Sequence, residues 1–258
     1  MKNSKILALA LGLLFSSTAF AGGFTWIEGV FHVPHGYSHV ATFILIAILL
    51  ILVGFLYRAK VNKVSNVIIP DSGITLRNII EFYGDFIYKQ CKQVIGEDHA
   101  DDYFPFIAST FLFIFISNLI GLIPGFLPPT EYLSTTLALG VFSFVFYNIQ
   151  GMKVQGVGPY IAHFAGPLLL LAPLIFPIEV ISNLIRPLSL ALRLRSNMMG
   201  DHIVLTQFSN LVPLFVPIIF MVLGLLVSFI QAYVFTVLTM VYINLAVSHH
   251  DHDEEHAH

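Results

Sequence analysis

Three arginines within apolar sequence are the residues best suited to do chemistry. Arg186, Arg193 and Arg195 lie in the stretch LIRPLSLALRLRSNMMGDHI, between two long apolar segments. A charge at membrane depth is energetically unfavourable, so it requires a partner or a task. Only two acids, Glu179 and Asp201, lie near these three bases, so Arg193 has no dedicated carboxylate. We therefore expect its partner on another chain; a structural arginine bound by Glu179 or backbone carbonyls is the alternative.

The charged positions recur at a helical spacing. Glu179, Arg186 and Arg193 are seven residues apart, and such positions drift by only about 20° per heptad on a straight helix. They therefore share one face, with Asn183 and Asn197 beside it, each four residues after a charged position. The sequence predicts a polar stripe of roughly 21 Å along this helix, because the rise is about 1.5 Å per residue.

Arg195 is set apart from this stripe. It follows Arg193 by two residues, which places it about 200° around the helix and on a different face. We expect it to extend towards the membrane surface, to pair with Asp201 or to meet another part of a complex. Arg186, which precedes Pro187, is interpreted as structural or interfacial.

The last apolar segment carries a second polar face. Gly224, Ser228 and Gln231 recur at spacings of four and three residues, and Tyr242 adds a hydroxyl further along. Small and polar residues on one face of a membrane helix usually indicate helix–helix packing. A role in packing and a role in a polar path are both open for Gln231.

The composition is that of an integral membrane protein. Of the 258 residues, 57% are hydrophobic and 10% charged, whereas a soluble domain has about 25% charged residues. The single cysteine, Cys91, excludes an internal disulfide and a cysteine-ligated metal cluster. No phosphate-binding GxxxxGKS/T loop is present, so we expect no nucleotide chemistry in this chain. We predict no cofactor and no metal site, and the net charge of -3 gives no indication of nucleic-acid binding.

Five apolar stretches predict membrane spans across a bilayer core of about 30 Å. They cover residues 39–57, 103–123, 135–150, 167–200 and 211–247, in a single membrane domain over 39–247. The last two would each be roughly 50 Å long as helices, so we expect them to be strongly tilted or bent. Residues 72–95 mix apolar and charged positions at helical spacing, which predicts a helix on the cytoplasmic membrane surface. The predicted fold is an all-α integral membrane protein with about five transmembrane helices.

The ends of the chain indicate its orientation. Residues 1–21 have a basic start, an apolar run and the sequence AFA at 19–21, which together predict a secretory signal peptide. An uncleaved extra helix is the alternative. Residues 22–38 then form an outer segment, and 248–258 a hydrophilic tail. Half of the basic residues lie between the first two spans, so that loop is cytoplasmic by the positive-inside rule, the N-terminus outside and the C-terminus cytoplasmic.

Several stretches resemble a known family. RPLSLALRLRSNMMGDHI is similar to the signature of subunit a of the rotary F-type ATP synthase, in which an arginine precedes a leucine and an asparagine follows four residues on. IQAYVFTVLTMVYI resembles the last helix of that family, and SNLIGLIPGFLPPT with LALGVFSF resembles its second and third spans. The similarity covers nearly everything from about residue 100 to 247, and the first span agrees in position.

The resemblance implies a component that couples proton flow to rotation and ATP synthesis. Arg193 would be the essential arginine facing the carboxylates of the rotating c-ring, between two offset half-channels. Glu179 would belong to the cytoplasmic half-channel and His202 to the outer one, while Asn197 and Gln231 line the region of the arginine. The other implicated residues are Ser228 in the proton path and, in supporting positions, Asn183, Arg186, Asp201 and Tyr242.

The resemblance also implies partners and a location. The partners are an oligomeric c-ring, b-type peripheral stalk subunits, the remaining ATP synthase subunits and the lipid bilayer. The location is the bacterial plasma (inner) membrane, and the chain by itself would bind no nucleotide and would not be an enzyme.

The sequence departs from the family near this site. Gly224 stands where the family often has an acid or a histidine, seven residues before the glutamine. Asp201 stands where a glycine is usual, and Gly121 occupies a position at which some members carry an acid. The outer path would therefore depend more on water, His202 and hydroxyl groups.

Two other functions fit parts of the sequence. A stand-alone secondary transporter could bind an anionic substrate through Arg193, but such folds are commonly built from repeats, and none is recognisable here. A purely structural membrane anchor would leave the polar stripe and Gln231 unexplained. Co-purification with an oligomeric ring of small hairpin subunits would discriminate a synthase component from a transporter.

Overall fold

The computed structural model describes residues 37–62, 71, 73, 75–123, 126–163, 172–211 and 216–247. The predicted signal peptide at 1–21, most of the predicted outer segment at 22–38 and the tail at 248–258 lie outside these residues. Every regular element within the described ranges is helical, and these ranges contain no β-strand.

Seven α-helices follow one another in the described part of the chain. They are α1 (Ser38–Val61), α2 (Leu76–Ile95), α3 (Ala100–Ile120), α4 (Leu133–Gln155), α5 (Val157–His163), α6 (Ala172–Leu211) and α7 (Val216–Val247). A short 3₁₀ helix, Pro129–Glu131, precedes α4. Five of the helices, α1, α3, α4, α6 and α7, are long and apolar enough to cross a membrane. The predicted all-α fold with about five candidate spans is therefore confirmed.

The two long helices begin and end at residues other than those predicted. α6 continues through Gly200 to Leu211, whereas the sequence predicted an end at Gly200 and a start of the last span at Leu211. A glycine within a helix costs only about 1 kcal/mol relative to alanine. Ending a helix inside a bilayer would leave several backbone groups without partners, at a larger cost. The ends of α1, α3 and α4 differ from the predicted ones by at most five residues.

The predicted surface helix is α2, which has two different faces. Thr75 caps its N-terminus by accepting a hydrogen bond from the backbone N–H of Asn78, as threonine often does at this position. Ile87 and Cys91 belong to its buried face, whereas the Phe82 side chain is 78% exposed. The helix ends at Gly96, whose φ of 105° favours glycine.

A cluster of charged side chains joins the end of α1 to the start of α2. Arg77 is fully buried, and its Nε and Nη1 atoms lie 2.6 Å from Glu81 Oε1 and 3.2 Å from Asp71 Oδ1. Lys60 of α1 lies 3.2 Å from the other oxygen of Asp71. The hydrogen bond from Lys60 is the largest cause that lowers the pKa of Asp71. A buried arginine needs compensating charge, so these contacts fix the connection between the two helices.

The chain divides into two compact units. Of the described residues, the first contains those from 37 to Leu56, within Leu112–Thr136 and within Leu194–Tyr233; the second contains those within Tyr57–Phe111, within Leu137–Arg193 and from Val234 to Val247. Five helices, α1, α3, α4, α6 and α7, contribute residues to both units. Arg193 is the last residue that α6 contributes to the second unit.

Each unit is held together by close packing of its helices. In the second unit, a Cβ atom built on Gly140 of α4 would lie only 2.7 Å from the backbone oxygen of Pro187 on α6. Small residues permit such close approach of membrane helices, so no larger residue fits at this position without a shift. In the first unit, the rings of Phe115 and Phe229 meet edge to face, with centroids 6.0 Å apart.

Candidate functional site

A histidine–carboxylate pair lies in the first unit. His202 Nδ1, on α6, is 3.2 Å from Glu131 Oε2, on the 3₁₀ helix. Both side chains are largely buried. The contact meets the distance of an ion pair but not the geometry of a hydrogen bond, and the imidazole is the one side chain that ordinarily titrates near neutral pH. The sequence analysis identified His202 but missed Glu131, which lies in a loop 71 positions earlier in the chain.

The turn that carries Glu131 is held from two sides. On one side, the Thr130 hydroxyl donates to Asn118 Oδ1 of α3 at 2.7 Å, and both side chains are buried. On the other side, the Tyr132 ring stacks on His39 of α1, with the centroids 4.2 Å apart. Glu131 therefore lies between two residues with fixed side chains, which positions its carboxylate against α6.

An aspartate lies beside a glycine that the family often replaces with a larger residue. A Cβ atom built on Gly224 of α7 would be 2.7 Å from Asp201 Oδ2 and 2.6 Å from Leu122 Cδ2. The carboxylate of Asp201 therefore occupies the space that a side chain at position 224 would need. Asp201 and Gly224, both noted in the sequence as departures from the resembled family, are therefore neighbours in the structure.

Two amide side chains predicted for the site are in contact. Asn197 Nδ2 donates to Gln231 Oε1 at 2.5 Å, which connects α6 to α7. Ser228 is buried one turn before Gln231, and its hydroxyl has no hydrogen-bond partner within the described residues. On this face of α7, Gln231 connects the helix to α6, and the buried Ser228 hydroxyl adds a polar atom one turn earlier.

The remaining charged residues of α6 are not paired with each other. Arg193 and Glu179 are both exposed, and neither forms an ion pair within the described part of the chain. The expected pairing of Arg195 with Asp201 is absent there as well. Arg195 is half-buried, and its Nε atom has no hydrogen-bond partner among the described side chains and backbone. Asp201 lies against Gly224 instead.

A hydrogen-bond network in the second unit surrounds Asn183. The Tyr147 hydroxyl donates to Asn183 Oδ1 at 2.7 Å, and Asn183 Nδ2 donates to Asn148 Oδ1 at 3.1 Å. The Tyr160 hydroxyl donates to the same Asn148 oxygen at 2.8 Å. The network joins α4, α5 and α6. Sequence analysis singled out Asn183 alone, although the adjacent pair Tyr147-Asn148 within an apolar span was a usable signal.

Arg186 contacts an aromatic ring and, among the described residues, no carboxylate. Its guanidinium carbon lies 5.2 Å from the centre of the Tyr242 ring, within the range of a cation–π interaction. The Tyr242 ring in turn lies 5.7 Å from the Tyr147 ring. Within the described residues, no three His, Cys, Asp or Glu side chains are grouped in a way that could hold a metal ion.

The fold and these clusters define a class of protein, a multi-pass membrane protein with polar and charged side chains on its long helices. The family model for the ATP synthase A chain matches residues 39–244. The chain is 47% identical to ATP synthase subunit a of Bdellovibrio bacteriovorus over 229 residues, 89% of this chain and 99% of that protein. It is 42% identical to ATP synthase subunit a of Sorangium cellulosum, over 81% of this chain and 82% of that protein. It is 46% identical to ATP synthase subunit a 1 of Pelobacter propionicus, over 81% of this chain and 86% of that protein.

The chain therefore belongs to the ATP synthase A chain family. This membership makes it a membrane-sector component of an ATP synthase complex, with a place in proton transport and ATP synthesis. The resemblance found in the sequence is confirmed. The family assignment also favours a synthase component over a stand-alone transporter.

Proposed function

We propose that this chain forms two offset proton half-channels and presents Arg193 to the carboxylates of a rotating c-ring. The observation that carries the proposal is that Arg193 is exposed and has no ion-pair partner among the described residues. It is an exposed guanidinium on a long apolar helix, and no carboxylate of the described residues is paired with it. An unpaired charge in a membrane marks a functional site by default, and an anionic partner on another chain would compensate it.

The chemistry follows from the effect of a fixed cation on a carboxyl group. A ring carboxyl facing lipid stays protonated, because its anion is strongly disfavoured there. Beside Arg193 the anion is favoured, because an opposite charge nearby lowers the pKa of a carboxyl group. Arginine cannot realistically deprotonate, so it also blocks direct proton leakage. Each charge that crosses the membrane supplies about 2.3 kcal/mol per 100 mV for rotation.

The outer half-channel would be formed by the polar residues of the first unit. His202 and Glu131 would exchange the entering proton over 3.2 Å. Asp201 would supply the second carboxyl group of this path, in place of the residue that the family often has at position 224. The last residues of the path would be Ser228, Asn197 and Gln231, the last two joined by a hydrogen bond.

The cytoplasmic half-channel would include Glu179, which is exposed on α6, and the network around Asn183 in the second unit. The partners of this chain in the complex would be the c-ring, b-type peripheral stalk subunits and the remaining synthase subunits. The location would be the bacterial plasma membrane, with the N-terminus outside and the C-terminus in the cytoplasm. N-terminal sequencing of membrane-purified protein checks this orientation, and an intact Met1 located in the cytoplasm would contradict it.

The decisive experiment replaces Arg193 in the complete complex. Purification through a tag on this chain should recover an oligomeric ring of small hairpin subunits. In reconstituted vesicles, Arg193→Ala should abolish acid–base-driven ATP synthesis and increase passive proton permeability, while the complex remains assembled. Arg193→Lys should also fail in coupling, because lysine lacks the planar five-donor group. Arg58→Ala, which removes an exposed charge at the end of α1, is the matched control and should remain coupled. Full coupling in an assembled Arg193→Ala complex would refute the proposal.

A further inference from the structure

Arg186 is a second arginine on α6, and the proposed function gives it no task. It is half-buried and lies seven residues before Arg193. None of the acids among the described residues forms an ion pair with it. Its compensation comes from the face of the Tyr242 ring, whose centre lies 5.2 Å from the guanidinium carbon. A ring face stabilises a cation without neutralising its charge, so the field of Arg186 remains available to other groups.

The position of Arg186 is fixed by a closed set of contacts. Tyr242 of α7 packs against Tyr147 of α4, with ring centres 5.7 Å apart. The Tyr147 hydroxyl donates to Asn183 Oδ1 at 2.7 Å, and Asn183 lies on α6 only three residues before Arg186. The contacts thus run from α6 to α7, on to α4 and back to α6. A side chain of this length would otherwise sample many rotamers, so the closed arrangement holds one positive charge in one place.

Among the described residues, no acid forms an ion pair with Arg186. Among the described residues of the neighbouring helices, the titratable groups near Arg186 are the phenols of Tyr147 on α4, Tyr160 on α5 and Tyr242 on α7. The same helices also carry Lys153 and Tyr233, neither of which is an anion at neutral pH. Phenols ionise only near about pH 10, and burial raises the pKa of Tyr160 further, against the opposing effect of Arg186. On α6 itself, Glu179 lies two turns away, is exposed and is not paired with Arg186.

A carboxylate that faces Arg193 would therefore interact with two cations. Seven helical residues correspond to a rise of about 10.5 Å, and the two positions share one face within about 20°. We infer that Arg186 is an electrostatic positioning residue that extends the range of cytoplasmic pH over which the ring carboxyl opposite Arg193 releases its proton. This inference rests on the proposed function, and it assigns to Arg186 a role separate from the blocking and exchange role of Arg193.

The size of the effect follows from Coulomb's law. Two unit charges about 10 Å apart, at an effective dielectric constant of about 20, shift a proton equilibrium by about one pH unit. Salt reduces this value, because the screening length at physiological ionic strength is about 8 Å. Removing the charge of Arg186 makes the ring carboxylate harder to form. Proton release then needs a more alkaline cytoplasmic side, and the midpoint should move upward by about 0.5 to 1 pH unit.

The test uses the complete complex in vesicles with the catalytic heads facing the bath. The bath then corresponds to the cytoplasmic side, and its pH is varied while a potassium–valinomycin potential keeps the total driving force constant. Rates of ATP synthesis are divided by the hydrolysis rates of released heads at the same pH, which removes the pH dependence of the heads. Arg186→Gln should move the midpoint upward, and Arg58→Gln, an exposed arginine of α1, should leave it in place.

Two variants of Tyr242 separate a fixed charge from a merely structural role. Tyr242→Phe keeps the ring face for Arg186 and should retain the wild-type midpoint. Tyr242→Leu removes the ring and should move the midpoint part of the way in the direction of Arg186→Gln. These variants also decide the question if Arg186→Gln does not assemble.

Three results would overturn the inference: an unchanged midpoint in Arg186→Gln, an equal shift in Arg58→Gln, or equal midpoints for the two Tyr242 variants. The failure of the proposed function has a different signature. If Arg193→Ala remains coupled, the proposed function is wrong. If Arg193→Ala is uncoupled and Arg186→Gln keeps the wild-type midpoint, only the present inference is wrong.

Discussion

The contact between Asp201 and Gly224 allows a prediction whose magnitude comes from the structure. In Gly224→Ala, the new methyl group would lie 2.7 Å from Asp201 Oδ2 and 2.6 Å from Leu122 Cδ2. Non-bonded carbon atoms prefer about 3.5 to 4.0 Å, so both side chains must move by about 1 Å. Both atoms end flexible, half-buried side chains that can move, so the cost is near the lower end of the about 1–3 kcal/mol typical of overpacking. It is opposed by the gain of about 1 kcal/mol for replacing a helical glycine with alanine.

Gly200→Ala is the matched control. Gly200 is also helical, but no atom lies within 4 Å of a Cβ built on it, so this variant has the propensity gain without the clash. The difference in stability between the two variants therefore isolates the clash, at about 1 kcal/mol. In the Asp201→Gly background one of the two clashes is gone. Gly224→Ala should then be less harmful, with a coupling between the two changes of at least about 0.5 kcal/mol.

Function should follow the same pattern. A displaced Asp201 carboxylate should slow acid–base-driven ATP synthesis several-fold in Gly224→Ala. Gly200→Ala serves as a control for stability only, because Gly200 lies seven residues after Arg193 on the same helix face. Asp201→Gly alone should also be slow, because the acid is lost. The double variant Asp201→Gly with Gly224→His reproduces the pattern common in the family and should recover part of the rate.

The assay combines the temperature at which this chain dissociates from the purified complex with synthesis rates in vesicles. Equal dissociation temperatures for Gly224→Ala and Gly200→Ala would show that the contact does not constrain position 224. If Gly224→Ala has the same effect with and without Asp201, the Asp201 carboxylate does not occupy the space beside Gly224.

Three further predictions concern other contacts. His202→Ala and Glu131→Gln should each slow proton-driven synthesis several-fold and chelators should not affect the wild type; unchanged pumping in both would remove the pair from the path. His39→Phe keeps the ring stack under the Glu131 turn and should retain the synthesis rate, whereas His39→Ala should lower it; equal rates would exclude a positioning role. Because the hydrogen bond from Lys60 lowers the pKa of Asp71, the ionised form stabilises the α1–α2 connection above about pH 3.8. This stability should be lost as the pH falls through the lower folded pKa, so proteolysis of the connection should rise there in the wild type but be independent of pH in Asp71→Asn.

The spans were predictable because the length of an apolar run is a direct physical signal. A bilayer core about 30 Å thick sets a minimum length for a spanning helix, and the apolar runs led to five helices that each have at least 21 residues. The helix ends were not predictable to the same degree. Glycine commonly follows the end of a helix in soluble proteins. In a membrane, however, the backbone groups at a helix end would have no water to bind. α6 therefore continues to Leu211.

The site was predictable where a single residue was out of place, and not where two distant residues meet. Arg193 was evident because a charge in apolar sequence is rare. Glu131 was not, since nothing in its loop indicates that a fold brings it to His202. Asp201 and Gly224 were each recognised as departures from the family. That one carboxylate fills the space left by the missing side chain is a property of three-dimensional packing, which the spacing of residues along the chain does not contain.

The close approach at Gly140 has a mechanical consequence. Its α-carbon rests against the backbone oxygen of Pro187, with no side chain between the two main chains. A contact through long side chains has rotatable bonds that yield under load, whereas main chains in contact have none at this point. A ring that turns against α6 would exert a sideways force on it. If the proposed function holds, the second unit would transmit that force from α6 to α4 with little elastic loss.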